Sequence, residues 1–217
     1  DNGSTDATGT SASFYKPIPI TTDGTNLYVA DRGNYTIRKI VIDNGTVTTI
    51  AGTAGSTGTT DATGTSARFN TLQGITTDGT NLYVVDRGNH TIRKIVIDNG
   101  TVTTIAGTAG SSGSTDATGT SARFSSPGGI TTDGTNLYVT DRGNHSIRKI
   151  VISTGVVTTL AGTGSSGSTD HATGTSASFN NSYGITTDGT NLYVSDYGNH
   201  TIRKIVIDNG TVTTIAG

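Results

Sequence analysis

Hydrophobic residues in this chain occur in short alternating runs, separated by clusters of Gly, Asp, Asn and Thr. Alternation places successive side chains on opposite faces of a β-strand, and the runs are rich in the strand formers Val, Ile and Tyr. No stretch shows the helical period of about 3.6 residues, so we expect almost no helix. Four strands are predicted in the first part of the chain, at residues 18–23, 27–31, 36–42 and 46–51.

The residue types between these strands predict the geometry of the turns. The sequence DGTN at 23–26 predicts a tight turn, and RGN at 32–34 predicts a second one. The Asn-Gly pair at 44–45 predicts a type I′ hairpin, because both central residues of that turn need a positive φ.

The same elements recur four times. The heptapeptide DGTNLYV begins at Asp23, Asp78, Asp133 and Asp188, and four copies of the repeat account for all 217 residues. The repeat is about 55 residues long, which lies in the range of β-propellers rather than helical solenoids. We therefore predict an all-β fold in a single domain, 1–217: a β-propeller of four four-stranded antiparallel blades, whose apolar faces are buried by stacking. The predicted blades are 18–52, 74–107, 129–162 and 184–217.

Linkers rich in Gly, Ser and Thr join the blades. We expect the phenylalanine at the end of each linker to fill the groove between adjacent blades; these are Phe14, Phe69, Phe124 and Phe179. The rest of each linker is predicted to be a flexible connector, since it lacks the Gly-Lys-Ser/Thr ending of a phosphate-binding loop. One aspartate per linker is too few carboxylates for a calcium site; these are Asp6, Asp61, Asp116 and Asp170.

The segment after the first turn is similar to the core of the NHL repeat, which is named for an Asn-His-Leu step after a strand such as YVAD. The copies read LYVADRGNYTIRKI, LYVVDRGNHTIRKI, LYVTDRGNHSIRKI and LYVSDYGNHTIRKI. An Ile one position later takes the place of Leu, and Tyr35 replaces His in the first copy. The resemblance covers the whole chain and implies a propeller fold. It does not imply one function, since the family includes scaffolds, protein- and RNA-binding domains and a few lyases.

NHL propellers resemble six-bladed rings, whereas four copies are present here. Four blades that close as a monomer, a homodimer that completes an eight-bladed ring, and a fragment of a longer array are all compatible with the repeat. The chain starts at Asp1 without a signal peptide, so we expect a processed, fragmentary or engineered protein.

The amino-acid composition limits the classes of binding partner and the types of site that the chain can have. The net charge of −2 and the 14% of charged residues disfavour nucleic acid and anionic membranes, both of which require a dense basic surface. The absence of Cys excludes disulfides and zinc–thiolate sites. The bias toward Thr, Ser, Gly and Asn resembles that of bacterial secreted proteins, which predicts an extracellular or cell-surface location.

Several polar residues recur at the same position of each blade. His90, His145 and His200 would lie on different blades, so we expect a packing role rather than a metal site. Each second strand ends in an aspartate; these are Asp31, Asp86, Asp141 and Asp196. The resemblance to the NHL family implies that this aspartate is the centre of a hydrogen-bond network between turns. We favour that role over a ring of carboxylates around a channel. We expect each recurring arginine to pair with an aspartate, either within a blade or between blades; these are Arg38, Arg93, Arg148 and Arg203. No metal or other cofactor is predicted.

The copies differ most just after the linker phenylalanine. Packing makes copies alike, whereas ligand contact breaks their symmetry, so we predict ligand contacts at the mouth of the central channel for Tyr15, Lys16, Gln73, Tyr183 and Tyr197. Drift in tolerant loops and the adaptation of terminal repeats that cap or close an array are alternative explanations.

The sequence favours a non-enzymatic scaffold or binding module for an unknown protein or small molecule. The alternative is a purely structural or engineered symmetric repeat protein. A metal-dependent lyase or hydrolase ranks last, because each innermost strand reads Thr-Thr-Asp without a unique catalytic residue.

Overall fold

In a computed structural model, which describes residues 3–217, the chain forms sixteen strands in four sheets. Each sheet is a four-stranded meander of neighbouring antiparallel strands. The predicted all-β fold with four four-stranded blades is therefore confirmed.

Blade 1 consists of β1 (Pro17–Thr22), β2 (Asn26–Asp31), β3 (Thr36–Val41) and β4 (Val47–Ala51). Blade 2 consists of β5 (Leu72–Thr77), β6 (Asn81–Asp86), β7 (Thr91–Val96) and β8 (Val102–Ala106). Blade 3 consists of β9 (Ile130–Thr132), β10 (Asn136–Asp141), β11 (Ser146–Val151) and β12 (Val157–Ala161). Blade 4 consists of β13 (Ile185–Thr187), β14 (Asn191–Asp196), β15 (Thr201–Val206) and β16 (Val212–Ala216).

Helical structure within the described residues is limited to 3-10 turns of three residues each. These turns are Gly9–Ser11, Gly64–Ser66, Arg87–Asn89, Gly119–Ser121, Arg142–Asn144, Gly174–Ser176 and Tyr197–Asn199. They lie in the linkers and after the second strands of blades 2 to 4. The sequence pattern did not predict these short turns. In the part of the chain that the structure describes, no helix has the length and apolar character needed to span a membrane.

The first strand of each blade departs from the predicted bounds. The strands β1 and β5 have six residues, whereas β9 and β13 have three. In the shorter cases a side-chain hydroxyl of the paired strand accepts the N–H of the glycine before the first strand: Thr140 Oγ1 accepts the N–H of Gly129, and Ser195 Oγ accepts the N–H of Gly184. Blades 1 and 2 have Ala30 and Val85 at this position, which offer no such acceptor.

The tight turn after the first strand is present, and its aspartate belongs to the turn rather than to the strand. Asp78 Oδ1 accepts the backbone N–H groups of Thr80 and Asn81 at 2.9 and 2.7 Å. Its Oδ2 accepts the hydroxyl of Tyr83 at 2.8 Å. Burial pushes the pKa of Asp78 up, but the hydrogen bonds from Asn81, Thr80 and Tyr83 outweigh it and hold the pKa below the usual value. The same contacts recur at Asp23, Asp133 and Asp188.

The lowered pKa predicts an acid-sensitive turn. A carboxylate whose folded pKa is depressed stabilises the fold above its unfolded pKa, and that stability is lost as the pH falls through the folded value. Asp78→Asn is therefore expected to make the decline of Tm below about pH 4 shallower. Thermal melts across that range, with the exposed Asp98→Asn as control, would measure the difference. Equal slopes in the two variants would contradict the assignment.

The hairpin at Asn44-Gly45 is not a type I′ turn, so that prediction is wrong. Only Gly45 has a positive φ, at 69°. The loop is longer than predicted: the N–H of Gly45 bonds to Val41 O at 2.8 Å, and the N–H of Val41 bonds to Thr46 O at 2.9 Å. The four residues between Val41 and Thr46 then need one left-handed position, which glycine supplies.

The chain divides into two compact units, Asp1–Ile105 and Ala106–Gly217; the single domain 1–217 stays a prediction. In the first unit, blade 2 packs on blade 1 through a core that includes Tyr28, Ala30, Ile37, Phe69, Leu72, Ile75, Leu82, Val84 and Ile95. In the second unit, blade 4 packs on blade 3 through Tyr138, Ile147, Ala161, Phe179, Leu192, Val194 and Ile205.

The linker phenylalanines do not all have the predicted environment. Phe69 and Phe179 are fully buried between two blades, as expected. The predicted burial of Phe14 between two blades is wrong, because its ring is partly exposed and borders an open hollow beside Ile18 and Ile20. The difference follows from the order of the blades: blade 2 contacts Tyr28 and Ile37 of blade 1, and Phe14 lies on the other face of that sheet.

Candidate functional site

The aspartate that ends the second strand of each blade is the centre of a buried hydrogen-bond network. In blade 1, Asp31 is fully buried, and its Oδ1 accepts the backbone N–H of Tyr15 at 2.7 Å. Its Oδ2 accepts hydrogen bonds from Asn34 Nδ2 at 2.7 Å and Arg38 Nη1 at 3.1 Å. The same three kinds of partner surround the buried Asp86, Asp141 and Asp196. Each carboxylate ties a turn, the third strand and the loop after the linker together.

The arginine of this network has a second carboxylate partner, which the sequence reasoning missed. Arg38 is fully buried, and its Nη2 pairs with Asp6 Oδ1 at 2.7 Å. The same aspartate accepts the N–H of Thr49 at 2.9 Å, and the guanidinium lies 4.8 Å from the centroid of Phe14. The linker is thus fixed along the blade that follows it, and the prediction of a flexible connector is wrong. The sequence did contain a signal for this contact, because every copy carries one linker aspartate and one third-strand arginine. The structure pairs them in the other three copies as well.

The buried carboxylates are poorly placed for chemistry on an external molecule. Burial raises the pKa of Asp86 to about 6, and hydrogen bonds from the Asn70 N–H, Asn89 and Arg93 counteract that rise. Asp86 has no exposed surface, and protein groups occupy both of its oxygens. All of the contacts of this carboxylate are therefore made within the protein.

The recurring histidines share a backbone conformation. His90, His145 and His200 have φ values of 60°, 50° and 58°, and Tyr35 in the first blade has 59°. This left-handed position ends the turn after the second strand, and residues other than glycine rarely adopt it. His145 Nδ1 also accepts the backbone N–H of Asn181 at 3.3 Å. Within residues 3–217, no group of three or more His, Asp or similar side chains is placed to hold a metal ion.

Two of the five predicted ligand-contact residues share a cavity, which we call the blade 1–2 cavity. It is polar, has a volume of about 270 Å³ and is lined by Tyr15, Lys16, Arg32, Gly33, Tyr35 and Thr71. Lys16 Nζ lies 5.1 Å from the centroid of the Tyr15 ring. Among the described residues, neither Lys16 nor Arg32 has a carboxylate within ion-pair distance. The cavity therefore presents two cationic groups and two phenol rings.

The equivalent position between blades 3 and 4 is filled by protein. Asn181, which corresponds to Thr71, accepts a hydrogen bond from Arg142 Nε at 2.6 Å through its Oδ1. The guanidinium of Arg142 also lies 4.5 Å from the centroid of the Tyr183 ring. Thr71 is too short to make the corresponding contact, and its hydroxyl bonds to Asn70 Oδ1 at 3.2 Å. Two positions that differ between copies, Asn181 against Thr71 and Tyr183 against Gln73, thus separate an arginine with partners from one without.

The other three predicted residues do not line this cavity. Tyr183 and Tyr197 contact each other edge to face, with ring centroids 5.7 Å apart. Gln73 lies on β5, and its Oε1 is buried without a hydrogen-bond partner among the described residues. The structure therefore adds Arg32, Tyr35 and Thr71 to the candidate residues. Arg32 was not among the predicted contacts because three copies share it, and only its surroundings differ.

Comparison with known proteins supports the motif assignment. The NHL repeat-containing protein 2 of Bos taurus is 33% identical over 142 residues, which cover 61% of this chain and 20% of the relative. The Homo sapiens protein of the same name is 31% identical over 144 residues, covering 62% of this chain and 20% of the relative. The chain spans about a fifth of the length of these curated relatives. No family model matches the chain.

Solved structures share the fold. An auxiliary nutrient binding protein from Bacteroides thetaiotaomicron superposes with a TM-score of 0.68 at 22% identity, covering 90% of this chain and 47% of that protein. At this identity the likeness concerns the fold alone. The repeated motif, the four antiparallel blades and the relatives named for the same repeat together show that this chain is similar to NHL-repeat β-propellers.

Proposed function

We propose that this chain is a non-catalytic binding module, and that the blade 1–2 cavity takes a small anionic molecule. The observation that carries this proposal is the contrast between two equivalent arginines. Arg142 is bonded to Asn181, whereas Arg32 lines an open cavity beside Lys16 without a carboxylate partner. The four copies have the same residues in the buried Asp–Asn–Arg network, and their residues differ at the surface positions that a ligand in this cavity would contact.

The residues of the cavity define the class of ligand. A guanidinium forms paired hydrogen bonds with a carboxylate or phosphate, and a lysine ammonium adds a second positive charge. The rings of Tyr15 and Tyr35 offer flat apolar faces with a polar hydroxyl, a combination common in binding surfaces. A cavity of about 270 Å³ fits a small molecule rather than a folded partner. We therefore propose small carboxylated or phosphorylated compounds as ligands.

The test uses inorganic phosphate, citrate and glucuronate as probes in calorimetric titrations at low salt. We expect at least one probe to bind the unmodified chain. Arg32→Gln should weaken that binding about tenfold or more, because a hydrogen bond to a charged group is lost. Thr71→Asn should also weaken it, since an asparagine there can bond to Arg32 as Asn181 bonds to Arg142.

Two features make this test specific. Arg142→Gln is the matched control, because it removes the equivalent arginine from a position that protein already fills. Thr71→Asn introduces a residue that blade 4 already carries, and Asn tolerates the left-handed φ of 62° at Thr71. Binding that is unaffected by Arg32→Gln, or absent for all three probes, would refute the proposed site.

A further inference from the structure

Each blade has two different faces, and the strand register assigns residues to them. In blade 1, Val29 pairs with Arg38 and Leu27 with Ile40, which places these residues on the face that we call the leading face. Tyr28 pairs with Lys39 and Ala30 with Ile37 on the trailing face. Inside both units the trailing face of one blade packs against the leading face of the next.

The leading face of blade 1 is uncovered. Ile20 is 56% exposed, whereas its equivalent in blade 2, Ile75, is 7% exposed against blade 1. Pro17 is exposed where Leu72 is fully buried. The apolar hollow on this face has a volume of about 300 Å³ and is lined by Phe14, Pro17, Ile18, Ile20, Val29 and Ile40.

The trailing face of blade 4 is uncovered in the same way. Ile202 is 39% exposed, whereas its equivalent Ile147 is fully buried under blade 4. Ala216 is exposed where Ala161 has no exposed surface, and Ile215 is 52% exposed. The chain therefore carries, on its first and last blades, the two complementary halves of an interface that it already forms inside each unit.

We propose that the leading face of blade 1 binds the trailing face of blade 4 of a second copy of this chain. The repeats themselves supply the fit, because residues at these positions already interlock between blades 1 and 2 and between blades 3 and 4. A head-to-tail contact of this kind uses two different surfaces, so each copy keeps one free face for a further contact.

Departures from the repeat on the two faces complement each other. In the blade 3–4 contact, Arg142 reaches across to Asn181 and Tyr183 of the following blade. The equivalent of Arg142 in blade 4 is Tyr197, which is 62% exposed. The equivalents of Asn181 and Tyr183 in blade 1 are Lys16 and Ile18. In the proposed contact, an arginine at position 197 of one copy would lie next to Lys16 of the other copy and repel it. The tyrosine that is present can contact both the Lys16 ammonium and the Ile18 side chain.

The mass in solution tests this pairing, measured by light scattering after size exclusion over a dilution series. We expect the unmodified chain to have at least twice the mass of a single copy at high concentration. Ile20→Asp and Ile202→Asp should each return it to the mass of a single copy. Val156→Asp is the matched control, because Val156 is 38% exposed and the other three copies carry a polar threonine there.

Mixing the two disrupted variants separates head-to-tail pairing from pairing between identical faces. An Ile20→Asp copy keeps its blade 4 face and an Ile202→Asp copy keeps its blade 1 face, so the mixture should recover a pair that neither variant forms alone. Tyr197→Arg should also weaken association, most strongly at low salt, although it restores the residue of the other three copies. The mass of a single copy at every concentration of the unmodified chain, or self-association of either disrupted variant, would overturn the proposal.

Discussion

Replacing Arg93 by methionine is expected to lower the free energy of unfolding by about 3–5 kcal/mol, because it leaves a buried charge without its partner. Arg93 Nη1 lies 2.9 Å from Asp86 Oδ2, and neither side chain has more than 1% of its surface exposed. Methionine keeps much of the volume but none of the donors. Chemical denaturation of the variant and the unmodified chain would measure the loss.

Two further variants identify the cause of that loss. Lys94→Met changes a neighbouring cation on the opposite face of β7 and is expected to cost less than about 1 kcal/mol. Adding Asp86→Asn to Arg93→Met should recover part of the stability, because no buried charge then remains. If the double variant were no more stable than Arg93→Met, uncompensated charge could not be the explanation.

The loss should also depend on pH. The pKa of Asp86 is already raised by burial to about 6, and removal of Arg93 removes a favourable charge from its surroundings. A carboxyl group with a raised folded pKa binds a proton on folding, so its contribution to stability grows as the pH falls toward the unfolded value. The difference between Arg93→Met and the unmodified chain is therefore expected to shrink between pH 7 and pH 4.

Phe69→Ala is expected to cost about 3–5 kcal/mol, because it empties a fully buried position between two blades. Phe14→Ala provides a control at the same position of the repeat. Both rings lie about equally close to an arginine, at 5.1 and 4.8 Å, so both variants lose that contact. Only Phe69 is enclosed by a neighbouring blade, and Phe14→Ala should therefore cost less than half as much.

The measurement must be made on dilute protein, so that association between copies does not contribute to the stability of the Phe14 site. Equal losses for Phe14→Ala and Phe69→Ala under those conditions would mean that the arginine contact, rather than burial between blades, dominates the stability. A larger loss for Phe69→Ala would assign the difference to packing between blades.

The blade itself could be predicted from the sequence because its determinants are local. Alternation of apolar residues defined the strands, and the recurrence of DGTNLYV set the number of blades. The turn at Asn44-Gly45 was mispredicted because the same dipeptide fits a two-residue hairpin and a longer loop, and strand register decides between them. The glycines before the short β9 and β13 bond to hydroxyls of the paired strand, and the pattern of apolar residues does not predict such contacts.

The candidate site depends on contacts that the sequence hides. Tyr15 and Lys16 stood out because they differ between copies, and the structure places them together on one cavity. Arg32 looked ordinary because Arg87 and Arg142 repeat it. The structure distinguishes it, because Thr71 from the next blade leaves the Arg32 guanidinium without the amide that Asn181 supplies to Arg142.

The attachment of each linker to the blade that follows it has a consequence for the history of the chain. Asp61 bonds to Arg93 and Thr104, so the linker and the blade that follows it form one module of the repeat. Duplication or deletion of such a module by unequal recombination leaves every buried arginine with both of its carboxylates. A break between linker and blade would separate the two. Chains of this type can therefore change length in whole modules without passing through an unstable intermediate.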